Sequence, residues 1–493
     1  MKFRTVTGSP FESDCDLVVV SVCGDLKKDA SFKAANAAMD GTLTELAADE
    51  RFAGKEGQTL VAPTYGDLPA SRVALLGAGP SSDLTASIVR DLAARAVKLG
   101  RAKGAKSVCF VPPAGKTSQL RLIAEGALLG NYRFDRYRPS KNGEPQRDVA
   151  TFLIANGSKK VSAADKTAIA QGEAIGAAVC AARDCINEPA AEMTPRRLAA
   201  IAQGLAKQHK SLKTKVLGPA ECEKLGMGMF LGVARGSDEE PRFIHMTYTP
   251  SKKPRRTIAL IGKGVTFDSG GYSLKPSSGM EDMKIDMSGA AAVINAMGAI
   301  ATNGSPYAVH AVAACCENMV SGRAYRLGDV LRGMEGTTVE INNTDAEGRL
   351  TLADALVYTR TRIEPDEIFD FATLTGACMV ALGPHTAGVM SNDDALVGRW
   401  LDAAANAGED MWRLPLNPRL KDQLKSNIAE MRNTGERWGG AITAGLFLQH
   451  FVKDVPWVHV DLAGPASSSS ERGAIARGGV GFAVATICHY LAP

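Results

Sequence analysis

The sequence predicts an α/β protein of two α/β domains, a smaller N-terminal one and a larger C-terminal one with a central mixed sheet flanked by helices. Three observations carry this expectation. A chain of 493 residues is long enough for two or three domains at roughly 150 residues each. Short apolar runs of strand length alternate with longer stretches in which alanine and leucine recur at three- and four-residue spacing. An alanine-rich stretch from Ala163 to Ile186, with no proline and two glycines, reads as a helix connecting the two halves. The predicted layout is therefore an N-terminal domain over 1–162, a connecting helix over 163–186 and a C-terminal domain over 187–493.

In the first half, Leu17 to Val22, Thr59 to Pro63, Arg72 to Leu76, Ser107 to Val111 and Val149 to Ile154 read as strands of a mostly parallel sheet. Helical spacing covers 33–48, 85–99 and 117–130. Beyond Asn187-Glu188-Pro189, Thr194 caps a new helix and Pro195 fills its first turn. Strands of the larger half are expected at Phe243 to Tyr248, Thr257 to Ile261, Tyr307 to Ala314, Glu367 to Phe371 and Trp457 to Val460. There is no internal repeat, and the serines at 467–470 read as a short mobile loop.

Composition narrows the function classes. With 45% hydrophobic and 22% charged residues the chain falls in the ordinary globular range. A net charge of +4 argues against a dedicated nucleic-acid binder. Ten cysteines without a CxxC pair exclude zinc-ribbon and thioredoxin-type readings and point to reduced core residues. The N-terminus has acidic residues ahead of a short apolar run, the wrong order for a signal peptide, and no apolar stretch is expected to reach the roughly 18 residues that span a bilayer. The expected location is the cytoplasm, with no membrane partner.

Chemistry concentrates in two stretches. From Ile258 the chain reads IALIGKGVTFDSGGYSLKPSSGMEDMKIDMSGAAAV, which we read as a buried strand entering a glycine-rich turn, followed by Lys263, Asp268, Lys275 and Asp286. Neither a P-loop nor a complete dinucleotide fingerprint is present, so nucleotide readings are weak. In the second stretch, Ile341 to Leu350, Asp345, Glu347 and Arg349 alternate and would share one face of an extended segment. Apolar neighbours on both sides make unpaired carboxylates costly there. Asp268, Asp286, Asp345 and Glu347 suffice for a two-metal site of oxygen ligands of the kind that clamps a displacement reaction.

Both stretches, with the spacing between them, closely resemble the leucyl aminopeptidases, the cytosol aminopeptidase family of metallopeptidases. NTDAEGRL at 343–350 and GKGVTFDSGG at 262–271 carry the resemblance. It extends through NEPAAEMTP at 187–195, LGMGMFLGVARGS at 225–237, ATLTGA at 372–377 and GGAITAGLFL at 439–448. The resemblance implies that Lys263, Asp268, Asp286 and Glu347 hold a tighter divalent cation and that Asp268, Asp345 and Glu347 hold an exchangeable one. The cations would be manganese, zinc or magnesium. It further implies that Lys275 polarises the substrate carbonyl and that Arg349 cradles a bicarbonate as general base. Met283, Thr373 and Leu374 would line the substrate cleft. The implied reaction is hydrolysis of the first bond of a peptide with a free N-terminus, preferring leucine and methionine, by a homohexamer.

Two positions depart from the family pattern: Leu327 stands where proline often precedes Gly328-Asp329, and Ala191 stands in the usual Pro-Ala-Asn. Two alternatives remain open at this point. One is a two-metal phosphoesterase, which also uses aspartate-rich sites. The other is an aminopeptidase with a second, DNA-binding role, since some bacterial relatives bind DNA and Arg133, Arg136, Arg138 and Lys141 interleave here with Tyr132, Phe134 and Tyr137.

Overall fold

The computed structural model describes residues 1–113, 119–138, 148–157 and 160–492. The chain divides into two compact units, one of Met1–Cys180 with Ser470–Ala476, the other of Ala181–Ser469 with Arg477–Pro493.

Unit one is a six-stranded sheet of β1 (Lys2–Val6), β2 (Leu17–Val22), β3 (Thr59–Pro63), β4 (Arg72–Gly77), β5 (Ser107–Val111) and β6 (Thr151–Ala155), ordered β1-β6-β5-β2-β4-β3. Only β3 runs antiparallel to its neighbour. β2 lies inside and buries every side chain. Its alternation sends Leu17 and Val19 into one core and Val18, Val20 and Val22 into the core on the opposite face. On the first face lie α3 (Ala86–Ala102), capped by Thr85, and α4 (Leu120–Asn131). α1 (Ala30–Ala38), capped by Asp29, and α2 (Thr42–Asp49) pack on the other.

The expected single helix over 33–48 is thus two. Asp40 and Gly41 both take positive φ, 48° and 86°, and a helix cannot continue through that pair. β1 went unforeseen because it is an edge strand with no fully buried residue, so its sequence carries no apolar alternation. Residues 117 and 118 of the expected third helix lie outside the described residues. α5 (Ala163–Asn187) follows β6.

Unit two is built on an eight-stranded mixed sheet. Its first strands are β7 (Leu212–Leu217), β8 (Arg242–Tyr248), β9 (Thr257–Asp268) and β10 (Ala308–Asn318), with short β11 (Val330–Arg332) and β12 (Thr338–Glu340) outside it. β13 (Glu367–Ala372), β14 (Ala387–Ser391), β15 (Met411–Arg413) and β17 (Trp457–Asp461) complete the sheet, and β16 (Met431–Arg432) pairs with β12. The order is β15-β14-β17-β13-β9-β10-β8-β7, with β17, β13, β9 and β10 parallel at the centre. Helices α6 (Pro195–Gln208), α7 (Pro219–Lys224), α8 (Gly228–Ala234), α9 (Ser277–Met280), α10 (Ser288–Asn303) and α11 (Gly348–Tyr358) come from the first two thirds of the unit. The core joins β9 and β10 to α8, α11 and the helix Gly440–Val452 through Ile261, Val312, Phe230, Leu350 and Phe447.

Three expectations need correction here. β9 does not end in a turn at Gly262-Lys263-Gly264; it runs on to Asp268. Those glycines provide room, since a Cβ on Gly262 would lie 2.5 Å from the backbone of Gly289 and one on Gly264 2.7 Å from Cys315 Sγ. The segment Ser277–Asn303 is long and apolar enough to cross a membrane by composition, yet 78% of its most apolar window is buried in the protein, as befits the core helix α10. Ser467–Ser468, expected in a mobile loop, pairs antiparallel with Gly478–Gly479.

Candidate metal centre

The C-terminal half of β9 delivers Lys263 and Asp268, and the loop after it delivers Lys275. Asp286 stands on the 3₁₀ turn Met283–Met287 that leads into α10. Asp345, Glu347 and Arg349 come from a turn and the start of α11, while Thr373 and Leu374 follow β13. The expected alternation of Asp345, Glu347 and Arg349 along an extended segment is wrong, because Asp345 lies in a turn and Glu347 is already the N-cap of α11. The helix start nevertheless brings Glu347 to Asp268 and Asp286, whereas Asp345 stands outside that group of three and is linked to it through Lys275.

Asp268, Asp286 and Glu347 are buried, and one carboxylate oxygen of each lies within 4.8 Å of the others. Lys263, 3% exposed, reaches this cluster with its Nζ 2.7 Å from Asp286 Oδ2 and 2.8 Å from Glu347 Oε1. It also donates to the Thr373 carbonyl at 3.0 Å. Gly348 makes this path possible, since a Cβ there would sit 2.5 Å from Lys263 Cε. Burial opposes the lysine's charge, but Asp286, Glu347 and Asp268 outweigh it and raise its pKa. Burial, then the Glu347 charge, pushes Asp268 up to about 6, and burial raises Asp286 well above the usual carboxylate range.

Such crowding is costly: buried like charges repel, and desolvation adds to the penalty. Glu347 Oε2 is buried without a hydrogen-bond partner. A cluster of carboxylate oxygens with a buried unpartnered acceptor and one amine is a donor set that fits divalent cations.

Lys275 is less buried than Lys263 and lies at one side of the cluster, 2.9 Å from Asp268 Oδ2 and 2.5 Å from Asp345 Oδ1. Arg349 is buried; its Nη1 donates to the Asn433 carbonyl at 2.8 Å, its Nε has no partner, and burial lowers it to about 10. Thr373 uses its hydroxyl to donate to Asp286 Oδ1 at 2.7 Å, whereas Leu374 and Met283 remain half-buried. Leu327 and Ala191, the two departures from the family pattern, are exposed.

Sequence reasoning missed Asn433, which receives Arg349 on its carbonyl and donates through Nδ2 to the Asn343 carbonyl at 2.6 Å. It missed Asp461 too, whose carboxylate accepts from Leu374 N and Thr375 Oγ1 and so fixes the loop after β13. No local pattern marks either residue. In unit one, Arg133 is tied to Asp148 and Asp135, and Arg136 lies over the Phe134 ring, leaving less free charge for a polyanion than the sequence offered. Lys141 lies outside the described residues.

Residues 180–488 match the catalytic domain of the cytosol aminopeptidase family, and residues 18–141 match that family's N-terminal domain. A protein of Alkaliphilus metalliredigens described as "probable cytosol aminopeptidase" is 39% identical over 99% of this chain and 98% of its own length. One of Cyanothece sp. with the same description is 41% identical over 100% and 99%. Among solved structures, a tomato leucine aminopeptidase mutant superposes with a TM-score of 0.90 at 33% identity, covering 100% of this chain and 96% of that one. The bottromycin maturation enzyme BotP in complex with Mn gives 0.84 at 36% identity over 97% and 98%.

Proposed function

The chain belongs to the cytosol aminopeptidase family, a group of metal-dependent exopeptidases, and from that premise we propose that it is a two-metal aminopeptidase of the cytoplasm that removes leucine, methionine and similar apolar residues from peptide N-termini. The observation that carries the reading is the convergence of Asp268, Asp286 and Glu347 on one buried point, with Lys263 reaching the same oxygens. Lys263, Asp268, Asp286 and Glu347 would hold the tighter cation, and Asp268, Asp345 and Glu347 the exchangeable one. Manganese or zinc, with magnesium as a further occupant, suits this donor set, and two such ions supply Lewis acidity and an activated water.

The chain's own residues do the rest. Lys275 offers an ammonium beside Asp268 and Asp345, where it can polarise a scissile carbonyl and stabilise the oxyanion that develops on it. Arg349 presents an unpartnered Nε–H from a buried, planar guanidinium, a group suited to holding bicarbonate as general base. Such a base is needed because no histidine lies in either motif. Half-buried Met283 and Leu374 give an apolar lining for the N-terminal side chain, while Thr373, bound to Asp286, contributes mainly by fixing the wall. From the family resemblance we infer a homohexamer.

The test compares three compounds on metal-stripped protein with and without Mn2+: a leucyl anilide, its N-acetylated form and a phosphate ester. Cleavage of the free-amine anilide alone, restored by Mn2+, is the expected result. Hydrolysis of the blocked anilide contradicts an exopeptidase, and hydrolysis of the phosphate ester would return the phosphoesterase alternative.

A further inference from the structure

Where β9 and β10 end side by side, Asn318 stands opposite Asp268 in the strand pairing. It is fully buried. Its Nδ2 donates to Asp268 Oδ1 at 2.8 Å and to the Thr344 carbonyl at 3.0 Å. Both neighbours can only accept, so the amide orientation is fixed by chemistry. The Asn318 backbone carbonyl accepts from Ser269 N at 3.0 Å and from Ser269 Oγ at 2.7 Å. One residue thus grips the chain on both sides of the site: Asp268 and Ser269 from the first motif, and Thr344, one residue before Asp345, from the second.

The grip also divides the labour of the Asp268 carboxylate. Oδ1 receives Asn318 Nδ2 and the Gly270 N–H, the latter at 2.8 Å. Oδ2 faces Lys275 and remains the oxygen free of such donors. The space around Asn318 is closed, because a Cβ on Gly271 would come within 3.1 Å of its Oδ1. The Tyr325 hydroxyl braces the same Thr344 carbonyl at 2.8 Å.

We propose that Asn318 is a positioning residue that sets the affinity of the exchangeable cation, by locking Asp268 and the backbone that carries Asp345 into one frame. The inference rests on the two-metal reading and on its assignment of Asp345. Selectivity follows from which ligands Asn318 touches. Of the exchangeable set, Asp268 is held directly and Asp345 through the adjoining Thr344. Of the tighter set it holds only Asp268, since Lys263, Asp286 and Glu347 are fixed by their own contacts. Partners that orient a ligand commonly account for about 10- to 100-fold in metal affinity.

The experiment is a calorimetric titration of the metal-stripped full-length protein with Mn2+ alone, for wild type, Asn318→Ala and Asn318→Leu, with metal-free melting temperatures recorded alongside. The second, weaker binding step should lose about 10- to 100-fold in both variants while the first changes by less than about threefold. The Mn2+ concentration giving half-maximal hydrolysis should rise in step, with the rate recovering toward wild type at saturation. Should Asn318→Ala fail to fold, Asn318→Leu, close in size but with neither donor nor charge, carries the comparison. An unchanged second step, or equal weakening of both, overturns the inference and leaves the two-metal reading standing. A wild type that binds fewer than two Mn2+ removes that reading, and the inference with it.

Discussion

Lys263 shows how far the chemistry of single residues can be read. In this structure it is the cation of a buried cluster, its proton held by Asp286 and Glu347. To serve as a ligand it must give that proton up, and lysine can, whereas arginine keeps its charge and has no lone pair to offer. Lys263→Arg should therefore weaken the tighter cation as severely as Lys263→Ala, by at least about tenfold in a chelator titration. Wild-type affinity in Lys263→Arg would make Lys263 a counter-charge only. The grouping of Asp268, Asp286 and Glu347 was legible because the motifs supply acidic groups amid apolar neighbours, a pattern with few inexpensive explanations, whereas the place of Lys263 among them was implied only by the family resemblance. Asn318, Asn433 and Asp461 were not legible. An isolated amide or carboxylate acquires meaning only from what the fold places beside it.

At the scale of elements, the same limit has a geometric form. Strand positions such as Leu17–Val22 and Thr59–Pro63 were readable from apolar runs, as was the proline-free helix at 163–186. Gly262 and Gly264 misled because glycine in a strand signals either a turn or a close approach, and here α10 and β10 press against β9. Asp345 to Arg349 misled because alternation over five residues also fits a turn that opens a helix. β8 and β10 add a pH response away from the site. His245 Nε2 lies 2.9 Å from His310 Nδ1 and its Nδ1 lies 3.1 Å from the Tyr358 hydroxyl. Burial, then His310 and Lys215, lower its pKa from 6.5 to about 4. Between those values the unfolded chain binds a proton that the folded one refuses, so stability is present above pH 6.5 and is lost as pH falls toward 4. The loss amounts to at most roughly 3 kcal/mol. Thermal midpoints of wild type should fall more steeply over that window than those of His245→Gln. Parallel curves would show that His245 does not carry the acid sensitivity.

For the whole molecule, composition and periodicity conveyed the fold class because each half repeats the alternation of strand and helix. The excursion of Ser470–Ala476 into unit one was not readable. It depends on tertiary contacts, Lys98 with Glu471 and the Ala474 N–H on Asp91, that no local pattern announces. Assembly is tested by light scattering of the purified protein. A mass of roughly six times 51.9 kDa is expected, and a monomer or dimer at micromolar concentration contradicts the hexamer.

The central claim is that buried carboxylates shared between two cations make the catalytic centre. Glu347 is the residue on which it turns, assigned to both ions and carrying a buried oxygen with no protein partner. The direct measurement is metal content per subunit by mass spectrometry, paired with leucyl-anilide turnover, for wild type and Glu347→Ala at equal folded fraction. Two ions in the wild type are predicted, with fewer in the variant and a rate at least about a thousandfold lower, a loss of roughly 4 kcal/mol in transition-state stabilisation. A variant that retains both ions and turns over at a near-normal rate would contradict the account.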